Sequence, residues 1–226
     1  MTAKPEWEAG FFDEAYFGKG GRGGFTSYRY DSPEQREQLA LKWNDCQRIP
    51  HRSVLFVGCA TGFEVAWWHE RGKLPAFGVD VSEWAIAHLI PQAQGRCFLF
   101  DGQSLSDFAD QSVDLVAAFD VLTLVPDGMI FNLVQEMKRV ARVGIVFRTI
   151  VKNWRNLSRT VDGQDGAVFR YRPFTEWDRM FTSDDKFKLH QLTMSWHYET
   201  VASYLRAQPG DEQLRHLAEP PKTDRP

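Results

Sequence analysis

The chain has 226 residues, of which 43% are hydrophobic and 25% are charged, and it carries a formal charge of −3. A chain of this length can bury a large apolar core without disulfide bonds or a structural metal. The slight negative charge gives no overall attraction to a polyanion. Composition therefore argues against a nucleic-acid partner and against adsorption to a membrane surface.

The cysteines and the apolar segments indicate the compartment. Cys46, Cys59 and Cys97 are widely spaced and lack the pairing typical of zinc sites, which predicts free thiols in a reducing compartment and no metal. The longest apolar stretch, 112–126, contains two aspartates and is too short to span a bilayer. The first residues do not resemble a signal peptide. We therefore expect a cytoplasmic protein, monomeric or homodimeric, with no membrane segment.

Three segments are predicted along the chain. Residues 1–31 are rich in aromatic residues and glycine, which predicts an N-terminal lid that orders on a ligand; a solvated tail is the alternative. Residues 32–207 form the predicted main domain, which opens with a helix capped by Ser32 and ending near Cys46. The polar, proline-rich residues 208–226 are predicted to be disordered.

Strand and helix patterns alternate through the main domain. Short buried runs predict five strands, at 53–57, 75–80, 96–101, 112–120 and 143–149. Helical patterns lie at 63–72, 82–90, 129–141 and 174–181, with Ser82 and Thr175 as N-caps of the second and fourth. Two late runs, 187–194 and 199–205, predict an antiparallel hairpin. The fold class is therefore α/β: a doubly wound, mostly parallel, seven-stranded sheet whose last strand is antiparallel.

A glycine turn follows the first predicted strand. Such a turn lets a ligand approach the backbone closely, and ligands of open parallel sheets bind beyond the carboxyl ends of the strands. A dinucleotide site needs three glycines, but Gly58 is followed by Ala60 and Phe63 where the second and third are expected. The pattern therefore weakens a pyrophosphate site and favours another nucleotide ligand.

Five segments resemble, in order, the motifs of class I S-adenosylmethionine-dependent methyltransferases. They are VLFVGCATG, AFGVDVSEWAI, FDG, SVDLVAAFDVLTLVPD and EMKRVARVGIVF. The resemblance implies a Rossmann-like fold, S-adenosylmethionine as cofactor, S-adenosylhomocysteine as product and methyltransferase activity. A non-catalytic S-adenosylmethionine-binding protein and an NAD-type oxidoreductase are the alternatives.

The resemblance also implies which residues bind the cofactor. Asp80 matches the acid that binds both ribose hydroxyls, and Asp101 matches the acid that takes the adenine amino group. The implied set is Gly58, Cys59, Ala60, Gly62, Asp80, Val81, Asp101, Gly102, Phe119 and Asp120. Without the resemblance, the glycines could be plain turn residues, Asp80 a helix cap, Asp101 a loop acid and Asp120 the end of a strand.

Two positions depart from the family pattern. In the family, an acid two residues before the first glycine helps to hold the methionine ammonium, but Phe56 occupies that position and cannot accept a hydrogen bond. Another group must therefore do so. Ala60 replaces a glycine and adds a methyl group beside the cofactor, which the turn should tolerate if Ala60 keeps a negative φ.

The methyl acceptor is predicted to be a small molecule that is methylated on oxygen or nitrogen. The segment DVLT after the fourth strand lacks the Asn/Asp-Pro-Pro-aromatic motif of nucleic-acid amino methyltransferases, and no Glu-His pair supplies a base. Basic residues outnumber acids between Arg142 and Arg179, which suggests an anionic acceptor; a solvated basic face is the alternative. The candidate acceptor-binding residues are Tyr16, Arg22, Tyr28, Arg148, Arg170 and Arg172, and the candidate catalytic residues are Asp120, Tyr28 and Arg148.

Overall fold

A central sheet organises the part of the chain that the computed structural model describes, residues 9–17, 28–151, 160–162, 168–194 and 199–208. The strands in these ranges are β1 (Val54–Val57), β2 (Ala76–Asp80), β3 (Cys97–Leu99), β4 (Val113–Phe119), β5 (Ala141–Ile150), β6 (Thr160–Asp162), β7 (Val168–Arg170), β8 (Phe187–Met194) and β9 (Glu199–Arg206). β6 and β7 form a separate two-stranded ribbon, and the other seven strands form the central sheet.

The strand order of the sheet is β3-β2-β1-β4-β5-β9-β8. The strands from β1 to β5 run parallel, and β9 runs antiparallel to both of its neighbours. This arrangement confirms the predicted doubly wound, mostly parallel sheet with an antiparallel last strand. Because the strand order reverses between β1 and β4, the carboxyl ends of these strands open a crevice where such sheets bind ligands.

The helices cover both faces of this sheet. They are α1 (Glu14–Phe17), α2 (Pro33–Cys46), α3 (Phe63–Trp67), α4 (Glu83–Ala87), α5 (Asp127–Val140) and α6 (Phe174–Thr182). A π-helical turn, Trp68–Gly72, continues α3, and 3-10 turns lie at Ala9–Phe11 and Pro91–Ala93.

Two of the predicted N-caps are confirmed and one is wrong. Ser32 Oγ accepts a hydrogen bond from the backbone N of Gln35 (3.2 Å), and Ser82 Oγ accepts one from the backbone N of Ala85 (2.9 Å). α6 begins directly after Pro173, so Thr175 lies inside the helix and does not cap it. Pro173 is the N-cap residue of α6, with a φ of −63° and an extended ψ of 151°, and no side chain in the described part of the protein caps this helix.

The strand β1 contributes to both cores of the domain. Leu55 and Val57 pack in the cluster that includes α5 and α6, whereas Val54 and Phe56 pack in the cluster that includes α2 and α3. The alternation follows from the period of two in a strand. Phe56 is 2% exposed and its ring meets that of Trp68 edge-on, with 4.8 Å between the ring centroids. Phe56, which stands where the family has an acid, is therefore part of the apolar core.

The predicted lid and tail are described only in part. Residues 9–17 and 28–31 of the lid lie within the described ranges, while 1–8, 18–27 and 209–226 lie outside them. Within the described ranges, no helix is long and apolar enough to cross a membrane.

The aromatic packing at Phe147 yields a stability prediction. Phe147 is fully buried, and its ring stacks on Phe181 with centroids 5.1 Å apart. The variant Phe147→Ala should lower the free energy of unfolding by about 3–5 kcal/mol because it leaves a cavity between β5 and α6. Phe131→Ala, at a position 55% exposed on α5, is the matched control and should change it by less than about 1 kcal/mol. Urea titrations measure both; equal losses would contradict this packing.

Candidate functional site

A cavity of about 300 Å³ lies at the carboxyl ends of β1, β2, β4 and β5. Gly58, Asp80, Phe119 and Arg148 line it from these strand ends. The helices α2 and α3 and the described part of the predicted lid close the opposite side. Its volume falls at the lower end of the range for small-molecule pockets. A cavity therefore lies where the strand order predicts a ligand-binding crevice.

The glycine turn after β1 has an unusual backbone. Gly58 has a φ of +79° and lines the cavity, and a Cβ there would come within 2.8 Å of Val121. Ala60 also lines the cavity, and its φ is +46°, so the negative φ that was the condition for tolerating an alanine here is not met. Gly62 has a φ of +87° and does not line the cavity; a Cβ there would clash with Ala93. Gly58 thus keeps space for a ligand, and Gly62 allows close packing behind the turn.

The carboxylate of Asp80 holds the turn in place. Its Oδ2 accepts a hydrogen bond from the backbone N of Ala60 (2.7 Å), and its Oδ1 accepts one from the backbone N of Ser82 (2.9 Å). Asp80 is 7% exposed and lines the cavity beside Val81. Burial raises its pKa above the ordinary value, and the backbone N–H groups oppose this effect. Since a carboxylate offers about four acceptor positions, Asp80 retains capacity for ligand hydroxyls.

The structure brings only part of the predicted third motif to the cavity. Gly102 and the neighbouring Phe100 line it. Asp101 is exposed, does not line it, and accepts hydrogen bonds from the backbone N of Gln103 (2.9 Å) and Ser104 (2.7 Å). Here Asp101 shapes its own turn. Cys59, like Gly62 a predicted cofactor residue outside the lining, is buried behind the turn.

An ion pair lies at the ends of β4 and β5. Arg148 donates from Nε to Asp120 Oδ1 (3.0 Å) and from Nη2 to Asp120 Oδ2 (2.5 Å). Both residues line the cavity together with Phe119, whose ring centroid lies 5.8 Å from the Arg148 guanidinium. Asp120 has a φ of +62°, a strained conformation that residues other than glycine adopt mainly where the surrounding structure holds them. The predicted candidates Asp120 and Arg148 therefore act as one unit.

The predicted lid contributes aromatic side chains. Tyr16, Phe17 and Tyr28 line the cavity, and Tyr28 stacks on Phe63 with 4.7 Å between ring centroids. Burial, and next the charge of Glu64, raise the pKa of Tyr28 well above its ordinary value. Tyr28 is therefore protonated at neutral pH, which suits a hydrogen-bond donor.

The remaining predicted arginines are not brought to the cavity. Arg172 is fully buried, pairs with Asp127 and Glu176, and lies over the ring of Trp177. Arg170 is 6% exposed and donates to the carbonyl oxygen of Leu124 (3.3 Å). Neither lines the cavity. Arg22 lies outside the described residues.

Sequence reasoning missed four polar side chains that line the cavity. Gln35, Gln38 and Lys42 occupy one stripe of α2, and Glu64 follows the glycine turn on α3. The spacing of Gln35, Gln38 and Lys42, three and then four residues, could have predicted this stripe, since it places side chains on one face of a helix. Lys42 and Glu64 form an ion pair, and Lys42 Nζ lies 5.6 Å from the centroid of the Phe119 ring.

The charges of the lining residues suit S-adenosylmethionine, whose sulfonium and amino acid end together carry one net positive charge. Glu64, Asp80 and Asp120 supply three carboxylates, and Lys42 and Arg148 supply two cations. When ionised, this set is complementary in charge to the cofactor. Together with the spare acceptor capacity of Asp80 and the space at Gly58, the residues fit the group that the sequence implies.

Comparisons with known proteins point to the same class. Residues 55–147 match the family model described as a methyltransferase domain. A search of curated proteins found no significant match.

Solved structures share the fold at low sequence identity. An S-adenosylmethionine-dependent methyltransferase from Mesorhizobium loti has a TM-score of 0.61 and 16% identity, over 79% of this chain and 100% of that one. Geranyl diphosphate methyltransferase in complex with GPP and sinefungin has a TM-score of 0.64 and 13% identity, over 80% and 82%. The cyclase SpnF has a TM-score of 0.64 and 13% identity, over 80% and 85%.

The matched region contains the glycine turn, Asp80 and most of β5. With the strand order and the cavity, this match identifies residues 55–147 as a methyltransferase domain within a Rossmann-like fold. The sequence prediction of class, enzyme and cofactor is thereby confirmed.

The positive φ of Ala60 yields a second stability prediction. Ala60→Gly should raise the free energy of unfolding by up to about 1 kcal/mol, because glycine adopts this backbone conformation without strain. Ala66→Gly, inside α3, is the matched control and should lower it by about 1 kcal/mol or more. Urea titrations compare the two, and a loss of stability in both variants would contradict the strain at Ala60.

The raised pKa of Asp80 yields a prediction on pH. Protonation turns one acceptor position of Asp80 into an O–H donor and removes the negative charge that strengthens its hydrogen bonds to the ribose hydroxyls, so affinity for S-adenosylmethionine should fall as the pH drops through this pKa. The fall should begin above the ordinary aspartate value of about 3.9. The same shift means that Asp80 disfavours the folded state at neutral pH, and that this penalty disappears under acidic conditions.

Calorimetric titration of the wild type and Asp80→Asn from about pH 8 down to about pH 4, close to the ordinary aspartate pKa, tests this prediction. The variant should bind more weakly at neutral pH and should lack this acidic decline. An identical pH profile for the two proteins would refute the role of Asp80.

Proposed function

We propose that this methyltransferase transfers its methyl group to an oxygen or nitrogen atom of a small anionic metabolite such as a carboxylate or a phosphate monoester. The observation that carries the acceptor class is Arg148, a guanidinium that lines the cavity at the end of β5, paired with Asp120. Asp80 lies at the other side of β1, as the strand order requires. The nucleoside and the acceptor would thus occupy opposite sides of the glycine turn.

Methyl transfer needs alignment more than acid or base groups. When bound, S-adenosylmethionine supplies an electrophilic methyl group on sulfur. The chain must then hold the acceptor atom in line with that methyl group and exclude water. Phe119, Phe17 and Tyr28 surround the cavity with apolar surface, and protonated Tyr28 can donate a hydrogen bond to the acceptor. A base is needed only for an acceptor that is protonated at neutral pH.

The charge at β5 supports an anionic acceptor. Arg148 is 9% exposed, and a guanidinium in such surroundings binds carboxylate and phosphate groups in a bidentate manner. Asp120 is more accessible, with 51% of its side chain exposed, so an incoming anion can compete with it for Arg148. Among proteins of this fold, the geranyl diphosphate methyltransferase acts on a small anionic molecule according to its name.

The test starts with a panel of acceptors. Carboxylates, phosphate monoesters and phosphorylated sugars are each offered beside a neutral analogue, and release of S-adenosylhomocysteine is measured. We expect turnover of anions in preference to their neutral analogues. Turnover of neutral acceptors alone would overturn the anionic acceptor. Binding of S-adenosylmethionine without turnover of any acceptor would support a non-catalytic binder, and binding of NAD instead would overturn the class.

A matched pair of variants on β5 then tests Arg148. Arg148→Met should raise the KM of an anionic substrate by about tenfold or more, the loss expected for a hydrogen bond to a charged group. The Kd of S-adenosylmethionine should change by less than about twofold. Arg148→Lys should recover part of the loss because it keeps the charge but not the bidentate geometry.

Arg142→Met is the control, since Arg142 pairs with Asp114 at the opposite end of β5 and does not line the cavity. It should leave both constants unchanged. An unchanged KM in Arg148→Met would exclude Arg148 from acceptor binding.

A further inference from the structure

An ion pair between two helices lines the cavity. Lys42 Nζ of α2 donates to Glu64 Oε1 of α3, and the two side chains are 12% and 11% exposed. Both residues line the cavity. Removing two charges from water carries a large desolvation cost, which an apolar pair would avoid. Because of this cost, stability alone does not explain the pair, and a role in ligand binding does.

The strand order locates this pair along the cavity. β2, which ends at Asp80, and β3, which is followed by Phe100 and Gly102, lie on one side of β1 and therefore define the adenosine side. Glu64 lies two residues beyond Gly62, immediately after the turn that follows β1. A ligand whose ribose meets Asp80 would direct the rest of its length past the turn, toward Glu64 and Lys42.

The pair also has the chemistry that Phe56 lacks. The amino acid end of S-adenosylmethionine carries an ammonium and a carboxylate on one carbon atom, so its binding site needs one acceptor and one donor of charge-assisted hydrogen bonds. Glu64 and Lys42 supply these two groups next to each other. Phe56 is in the core, and its ring packs against Trp68, so it supplies neither.

We infer that Glu64 binds the ammonium and Lys42 the carboxylate of the methionine moiety, so that an ion pair between α2 and α3 replaces the acid absent at position 56. The inference rests on the proposed function, since it concerns the same cofactor. It assigns the subsite to two side chains that no motif of the sequence marks.

The test compares two ligands that differ only beyond the sulfur. S-adenosylhomocysteine has the amino acid end, whereas 5′-methylthioadenosine has the same nucleoside and sulfur without it. Calorimetry on the full chain should show that Glu64→Gln and Lys42→Met each weaken S-adenosylhomocysteine binding by about tenfold or more. The affinity for 5′-methylthioadenosine should stay within about twofold of wild type.

Three variants complete the design. The double variant Lys42→Met/Glu64→Gln leaves no unpaired buried charge and should show the same selective loss if a single variant fails to fold. Asp80→Asn should weaken both ligands equally. Glu70→Gln, whose carboxylate accepts from Tyr30 outside the cavity lining, should change neither.

The outcomes separate this inference from the function on which it rests. Equal effects of Glu64→Gln and Lys42→Met on both ligands, or no effect on either, would overturn the assignment while the cofactor site stands. Failure of the wild-type protein to bind either ligand would overturn the cofactor site itself.

Discussion

The buried carboxylate of Asp80 is the constraint on which the site depends. A charged group that is 7% exposed must be compensated, and the backbone N–H groups of Ala60 and Ser82 do so. One bond fixes the glycine turn, and the other fixes the start of α4. Ser82 Oγ in turn donates to the backbone oxygen of Phe12 in the predicted lid. A single acid therefore links the strand end, the turn, the next helix and the segment that covers the cavity.

This constraint explains the strained turn. Ala60 has a positive φ and donates its N–H to Asp80, and this hydrogen bond to a charged acceptor offsets the backbone strain. Asp120 has a strained backbone on the other side of β1. Arg148 stabilises this conformation by donating hydrogen bonds to both carboxylate oxygens of Asp120. Two strained residues thus flank the cavity, each held by an ionic partner, as is common at functional sites.

The sequence predicted what local patterns determine. Buried runs and caps such as Ser32 and Ser82 depend on neighbouring residues, and they indicated the strands, their order along the chain and the motif that contains Asp80. The sign of φ at Ala60 depends on a carboxylate twenty residues away, which no local pattern reveals. The excess of basic residues wrongly predicted Arg172 as an acceptor-binding residue. Its partner Asp127 lies 45 residues earlier in the chain, so the local charge count did not include it. Tertiary contacts decided both cases.

Phe56 shows how one substitution redistributes a function. An acid at this position would hold a ligand from β1 itself, whereas the aromatic ring of Phe56 joins the core with Trp68. With Glu64 and Lys42 in that role, the methionine end is bound by two helices whose relative position depends on the packing of Leu39 and Trp43 against that same core. Cofactor affinity in this chain is therefore coupled to how α2 packs on α3.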